Sequence, residues 1–161
     1  GFRLLMQKYK QPIYWHIRRL VVAHDDAQDA TQEAFIRIFK SFDKFRDENS
    51  FRGWIFRIAT NEALRLIESR RQENVSLEAD NNGANRIMAE NYVDYTDVEA
   101  VKLQKAIQTL PPKQQAAFNL RYYDELSYEE IAEATGSTAS SIKMSYHIAK
   151  EKIIKYMNSN D

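Results

Sequence analysis

Residues 126–153 read LSYEEIAEATGSTASSIKMSYHIAKEKI, and capping, turn chemistry and packing within that stretch all specify a helix-turn-helix. Ser127 and Glu130 have the spacing of a capping box, in which the hydroxyl accepts from an orphan amide of the first turn while the carboxylate reaches back. Leu126 and Ile131 flank it as a hydrophobic staple. Ala132 is small where a second helix must come close, and Gly136 supplies the positive φ with which a helix ends in a tight turn. Thr138 then caps a new helix, and Ile142 is placed to bury against the first. This second helix turns Ser140, Lys143, Met144 and His147 outward, toward the major groove when such a motif binds duplex DNA. The alternative is an ordinary helical hairpin with a solvated polar face. The co-occurrence of a capping box, a small residue, a turn glycine and a β-branched residue at these offsets favours DNA binding.

At 161 residues the chain makes one ordinary domain or two small ones. The absence of cysteine removes disulfides and thiolate metal sites and fits a reducing compartment. His16, His24 and His147 lie too far apart in sequence to suggest a metal-ligand motif. No apolar run approaches the ~20 residues of a membrane span, and the opening GFRLLMQKYK lacks the apolar core of a signal peptide. A cytoplasmic protein with no membrane insertion is expected. The chain opens on Gly1 with Phe2 already in helical register, so native sequence is expected to precede it.

Formal net charge is zero, but its distribution along the chain says more than its total. Residues 1–35 carry a net +1, residues 36–72 a net +4, residues 73–100 a net −6 and residues 101–161 a net +1. One central segment is basic, the next is strongly acidic, and the helix-turn-helix end is nearly neutral.

At the N-terminus, Phe2, Leu5, Met6 and Tyr9, then Ile13, Ile17, Leu20 and Val21, have helical spacing. Pro12 is expected to open the second of two helices, where its missing amide costs nothing. In DDAQDATQEAFIRIFKSFDKF, Asp25 or Asp26 caps a helix whose buried side takes Phe35, Ile38, Phe39 and Phe42. Asp29, Glu33 and Arg37 recur every four residues with Gln32 beside them, a polar strip that is either solvated or docks on a partner. DKFRDENS interrupts the periodicity, and Ser50 caps the long helix FRGWIFRIATNEALRLIESRR. Phe51, Ile55 and Ile58 form its expected buried centre, while Trp54, Arg57, Asn61 and Arg65 run along a neighbouring edge. An aromatic, two cations and an amide are the ingredients of single-strand recognition; the alternative is a core tryptophan beside solvated arginines.

DAQDATQEAFIRIFKSFDKF, FRGWIFRIATNEAL and LPPKQQAAFNLRYYDELSYEEIAEATGSTASSIK closely resemble bacterial RNA polymerase σ factors of the extracytoplasmic-function class. The resemblance covers nearly the whole chain and includes the order of the family's regions 2 and 4. It implies an all-α fold of two small helical domains, residues 1–72 and 99–161, joined by the acidic segment 73–98 as a flexible linker. It implies that Asp29, Gln32, Glu33 and Arg37 dock on the β′ clamp helices of core RNA polymerase. The loop 44–50, with Lys44, Phe45 and Arg46, would correspond to the specificity loop that holds a base flipped from the promoter −10 element. Ile58 and Asn61 would line that pocket, Phe45 and Phe51 are candidates for its wall, and Trp54, Arg57 and Arg65 complete the −10 surface. Thr138, Ser140, Ser141, Lys143, Met144, His147 and Lys150 would read the −35 element, while the preceding helices offer a surface to the polymerase β flap. An anti-σ factor is implied as a further partner.

Three departures bear on that transfer. Arg65 stands where an Asp or Asn is frequent, Met144 and Ser145 replace a common Ser-Arg pair, and Ile148 takes a place often held by arginine. Fewer cations mean fewer phosphate contacts and a shallower salt dependence. No nucleotide loop, no nucleophile paired with a base and no catalytic carboxylate cluster is evident. A non-enzymatic factor that confers promoter specificity and helps open the −10 region is expected, with no cofactor, no metal and no small-molecule substrate. A free-standing helix-turn-helix repressor would need a strongly basic recognition helix and a dimerisation surface. A pure protein adaptor would show no base preference at all.

Overall fold

A computed structural model describes residues 2–21, 23–46, 50–73 and 97–159. Among the described residues there are seven α-helices and one 3-10 turn, and no strand. The fold is all-α, as expected. The first half comprises α1 (Phe2–Val21), α2 (His24–Ser41), the turn Phe42–Lys44 and α3 (Phe51–Glu73). The second comprises α4 (Val98–Gln108), α5 (Pro112–Tyr122), α6 (Tyr128–Thr135) and α7 (Ala139–Met157). Most of the acidic stretch read as a linker, residues 74–96, lies outside the described residues, as do residues 47–49 of the loop before α3.

Alanines decide how α2 and α3 meet. Ala27, Ala30 and Ala34 of α2 and Ala59 and Ala63 of α3 are buried, and methyl-faced helices approach closely. Ile13 and Ile17 of α1, Ile38 of α2, and Ile55 and Phe56 of α3 fill the space around them. Each such side chain contributes about 1.5–3 kcal/mol on full burial. Among the polar residues inside, His16 Nε2 and Thr60 Oγ1 are 2.8 Å apart. Burial, with the charge of Arg19 adding, pushes His16 down to about 3, so the imidazole is neutral.

Four local expectations are corrected. Pro12 does not open a helix; α1 runs through it. The ring sits half-exposed beside exposed Lys8, and both halves of α1 pack on common partners, Phe2 against Phe39 and Phe42 and Tyr9 against Phe51. That packing outweighs one lost backbone bond. On α2 the buried stripe is Ala27, Ala30, Thr31, Ala34 and Ile38, leaving Phe39 69% exposed. Its N-cap is Ala23, with no side-chain cap, and Asp25 and Asp26 lie in the first turn. There Asp26 receives a bidentate pair of bonds from Arg70, at 2.7 and 3.2 Å. On α3 the buried centre is Ile55, Phe56, Ala59 and Ala63, with Phe51 and Ile58 half-buried at its flank.

The helix-turn-helix forms as its capping pattern dictates. Ser127 Oγ accepts from the Glu130 amide at 3.0 Å and Glu130 Oε1 from the Ser127 amide at 2.9 Å. Leu126 and Ile131 are fully buried. Gly136 takes φ 70° and ψ 38°, and the Gly136 and Ser137 amides both reach the Ala132 carbonyl. Thr138 caps α7 by accepting from the Ser141 amide at 3.2 Å. Behind the motif, Ala106, Ile107, Leu110, Phe118, Ala149 and Ile153 form a second apolar cluster.

The halves meet across α3 and α6. Leu120, Leu126 and Ile131 join the cluster built on Ile13 and Ile55. They come close at buried Gly53, where a Cβ would stand 3.2 Å from the Glu130 carbonyl oxygen and 2.6 Å from Glu133 Oε2; glycine is what lets α6 cross there. Arg52 donates to the Asp124 carbonyl, and the Arg19 guanidinium lies 4.0 Å from the Tyr123 ring centroid.

Candidate polymerase and nucleic-acid interfaces

Successive turns of α2 place Asp29, Gln32, Glu33 and Arg37 on its outer side, with Asp29, Gln32 and Arg37 exposed and Glu33 partly so. The strip is not a set of isolated charges. Arg37 Nε lies 3.4 Å from Glu33 Oε1 and 2.5 Å from Glu62 Oε1 of α3, and Glu62 Oε1 also receives Arg65 at 2.9 Å. Glu62 is 7% exposed, and sequence reasoning missed it. The available signal was its spacing to Arg65, since residues three apart share a helix face.

Around the start of α3 the structure brings Phe45, Phe51 and Trp54 together. Their ring centroids are 5.3 Å apart for Phe45 and Phe51, 5.2 Å for Phe45 and Trp54, and 5.7 Å for Phe51 and Trp54. Tilted and edge-on pairs at such distances add stabilisation beyond burial. Trp54 is thus neither deep core nor free, but half-buried at the rim. Lys44 and Arg46 are exposed beside it, and Arg57, Asn61 and Arg65 project from successive turns of α3, all exposed, with Ile58 half-buried between them. Flat rings at one end and a cation-amide-cation row along the helix can stack a base and hold its strand's phosphates.

On α7, Ser140, Ser141, Lys143, Met144, His147 and Lys150 are exposed, as is the cap Thr138. Ser140, Lys143, Met144, His147 and Lys150, with Tyr128 and Tyr146, line an open groove of about 500 Å³. Met144 is 68% exposed, and His147 Nε2 lies 3.2 Å from Glu151 Oε1. This face is more apolar and less cationic than phosphate binding alone would require. Among the described residues no group of three His, Asp or Glu is arranged to hold a metal, and no helix is long and apolar enough to cross a membrane.

This helical order, with a charged α2, an aromatic-rimmed α3 and a terminal helix-turn-helix, defines a σ70-type architecture. The family model Sigma-70 region 2 matches residues 5–73, and that of Sigma-70, region 4, matches residues 100–153. The chain is 30% identical over 167 residues to the ECF RNA polymerase sigma factor SigW of Bacillus subtilis, covering 98% of this chain and 89% of that protein. It is 31% identical over 157 residues to the ECF RNA polymerase sigma factor SigE of Mycolicibacterium smegmatis, covering 95% of this chain and 60% of that longer protein. The sigma factor RpoE, solved in complex with the anti-sigma factor NepR from Bartonella quintana, shares the fold at a TM-score of 0.76 and 20% identity, over 99% of this chain and 98% of that one. The chain belongs to the extracytoplasmic-function class of RNA polymerase σ factors. It is a transcription initiation factor of the kind that gives RNA polymerase its promoter specificity.

Proposed function

We propose that the chain works as two cooperating modules, residues 1–72 on core polymerase and the −10 element and residues 99–161 on the −35 element, with residues 73–98 as the connection. Asp29, Gln32, Glu33 and Arg37 meet the β′ clamp helices. Phe45, Phe51, Trp54, Ile58 and Asn61 receive an extruded base of the −10 non-template strand, with Lys44, Arg46, Arg57 and Arg65 on its phosphates. Thr138, Ser140, Ser141, Lys143, Met144, His147 and Lys150 read the −35 duplex, and the helices before them meet the β flap. The protein acts in the cytoplasm, performs no catalysis itself and is held in check by an anti-σ factor. The observation that carries the −10 assignment is the ring triangle of Phe45, Phe51 and Trp54 at the head of the exposed Arg57, Asn61 and Arg65 row. Base extrusion costs a few kcal/mol, and an aromatic seat offsets part of it.

The test is promoter selection by polymerase carrying Phe45→Ala or Asn61→Ala. Both variants should still bind core polymerase yet lose discrimination among −10 sequences. Unchanged discrimination would make the first half an adaptor that reads no base.

A further inference from the structure

The centre of the outward face of α7 is held by a side chain that carries no charge and accepts hydrogen bonds only weakly. At about 100° per residue, Met144 stands roughly 140–180° around the helix from the buried Ile142, Ala149 and Ile153. It is 68% exposed, and one turn further along the same edge Ile148 is 47% exposed. Single exposed apolar side chains are ordinary. What distinguishes Met144 is its place.

Met144 is the sixth residue of a helix of 19. A helix of about 28 Å puts only part of its length into a major groove about 12 Å wide, and a helix-turn-helix presents the N-terminal part of its second helix to the base edges. Met144 lies in that part. Beside it, Lys143 and Lys150 line the same open groove of about 500 Å³, cations suited to the phosphates that flank a base pair. The groove is braced from behind. Tyr146 stacks on Phe118 with ring centroids 5.2 Å apart and meets Tyr128 at 6.3 Å, and the Arg121 guanidinium lies 4.4 Å from the Tyr128 centroid. His147, the other large side chain of this face, is engaged with Glu151 on the next turn.

We propose, on the reading that α7 enters the major groove of the −35 element, that Met144 selects a thymine there by packing on its 5-methyl group. The thymine methyl is the apolar landmark of the major groove, whose other readable groups are hydrogen-bond donors and acceptors. A cytosine at the same position would set its N4 amine against a thioether, which accepts only weakly, and the amine would lose its water without a matching partner. A purine would bury its N7 against the same apolar surface. Met144 therefore favours thymine in two ways, by covering the methyl and by leaving the other bases unmatched. Selectivity gained this way involves no charge, so it is independent of the phosphate contacts made by Lys143 and Lys150.

The test uses core polymerase reconstituted with the full chain and promoter duplexes randomised over the −35 region, with the polymerase-bound DNA sequenced. At least one thymine should be selected. Each selected thymine is then replaced in turn by deoxyuridine, which removes the methyl and nothing else. One of these replacements should weaken binding roughly three- to fivefold, the effect of uncovering one such group. Met144→Ala should lose both the preference for thymine over cytosine and the response to deoxyuridine at that position. Selection at the other positions should persist, and the salt dependence of binding should stay that of the parent, since no cation is removed. Selection without a thymine, or a deoxyuridine effect that is absent from the parent or equal in the parent and Met144→Ala, would overturn the methyl contact while leaving α7 on the −35 element. No sequence selection over the −35 region by polymerase carrying the parent chain would overturn the −35 reading of α7, and the thymine contact with it.

Discussion

Arg37 Nε of α2 and Glu62 Oε1 of α3 meet at 2.5 Å, so the strip assigned to the polymerase and the helix assigned to the −10 strand are joined through one buried carboxylate. Arg65, on the −10 edge, reaches the same oxygen. Glu62→Ala takes this carboxylate from both arginines and leaves Arg37 with Glu33 alone. Both arginine side chains are about half exposed, at 47% and 58%, so solvent screening reduces the loss to about 1–2 kcal/mol. Urea unfolding measures this, and a variant as stable as the parent would show that the network adds nothing.

The docking strip offers a test that separates binding from folding. Asp29→Lys with Glu33→Lys reverses charge on the outer side of α2 without touching its buried alanines. Association with core polymerase should be lost while far-ultraviolet circular dichroism stays that of the parent. Retained pull-down would reject the assignment of this strip to the clamp helices.

Gly136 isolates a purely conformational effect. Nothing lies within 4 Å of a Cβ placed there, but φ is 70°, a region that costs an L-residue roughly 1–3 kcal/mol and a β-branched one the most. Gly136→Val should lower the melting temperature, and Gly136→Asn, which tolerates this region, should lower it less. Equal melting of all three proteins would show that the turn does not form.

Asp124 makes the packing of the halves depend on pH. Burial pushes its carboxyl up to about 6, only partly offset by Arg19 of α1 and Arg52 of α3, and its Oδ2 is buried with no hydrogen-bond partner in the protein. Lys8 lines the same cleft. An acid whose pKa is raised on folding holds more protons in the folded state, so its contribution to stability falls as pH rises from about 4 to about 6 and is level above. Asp124→Asn should remove that fall and leave the protein more stable than the parent at neutral pH. Denaturant titrations at several pH values check the sign; a parent and variant with parallel profiles would contradict it.

What could be read in the sequence follows the range of the interaction that fixes each element. The helix-turn-helix is set by contacts between residues a few positions apart, Ser127 with Glu130, Gly136 with Ala132 and Thr138 with Ser141, and every one was legible. Pro12 misled because a proline signal is local, whereas continuity of α1 is decided by Phe2, Tyr9, Ile13 and Ile17 finding partners on α2 and α3. The phenylalanines of α2 misled because hydrophobicity alone ranks Phe39 above Ala30, while close helix approach selects the alanine. At the −10 surface the exposed row of Arg57, Asn61 and Arg65 was visible as a helical edge, but the seating of Glu130 and Glu133 on α3 was not. Ser50 and Glu130 are 80 residues apart, and no periodicity reports a contact at that distance.

The central claim is that promoter recognition by this chain depends on polymerase, and a gel shift beside a run-off transcription assay tests it most directly. The second half carries eight basic and seven acidic groups over residues 101–161, and phosphate contacts supply nearly all non-specific duplex affinity. Isolated duplex binding should therefore be weak at physiological salt. Held by polymerase, both modules act on one promoter and each weak contact gains from effective concentration. The expected result is little sequence-specific shift by the chain alone, and strong transcription with core polymerase from promoters that carry paired −35 and −10 elements. Tight, specific binding of a duplex operator by the isolated chain, with no polymerase-dependent initiation, would contradict the account.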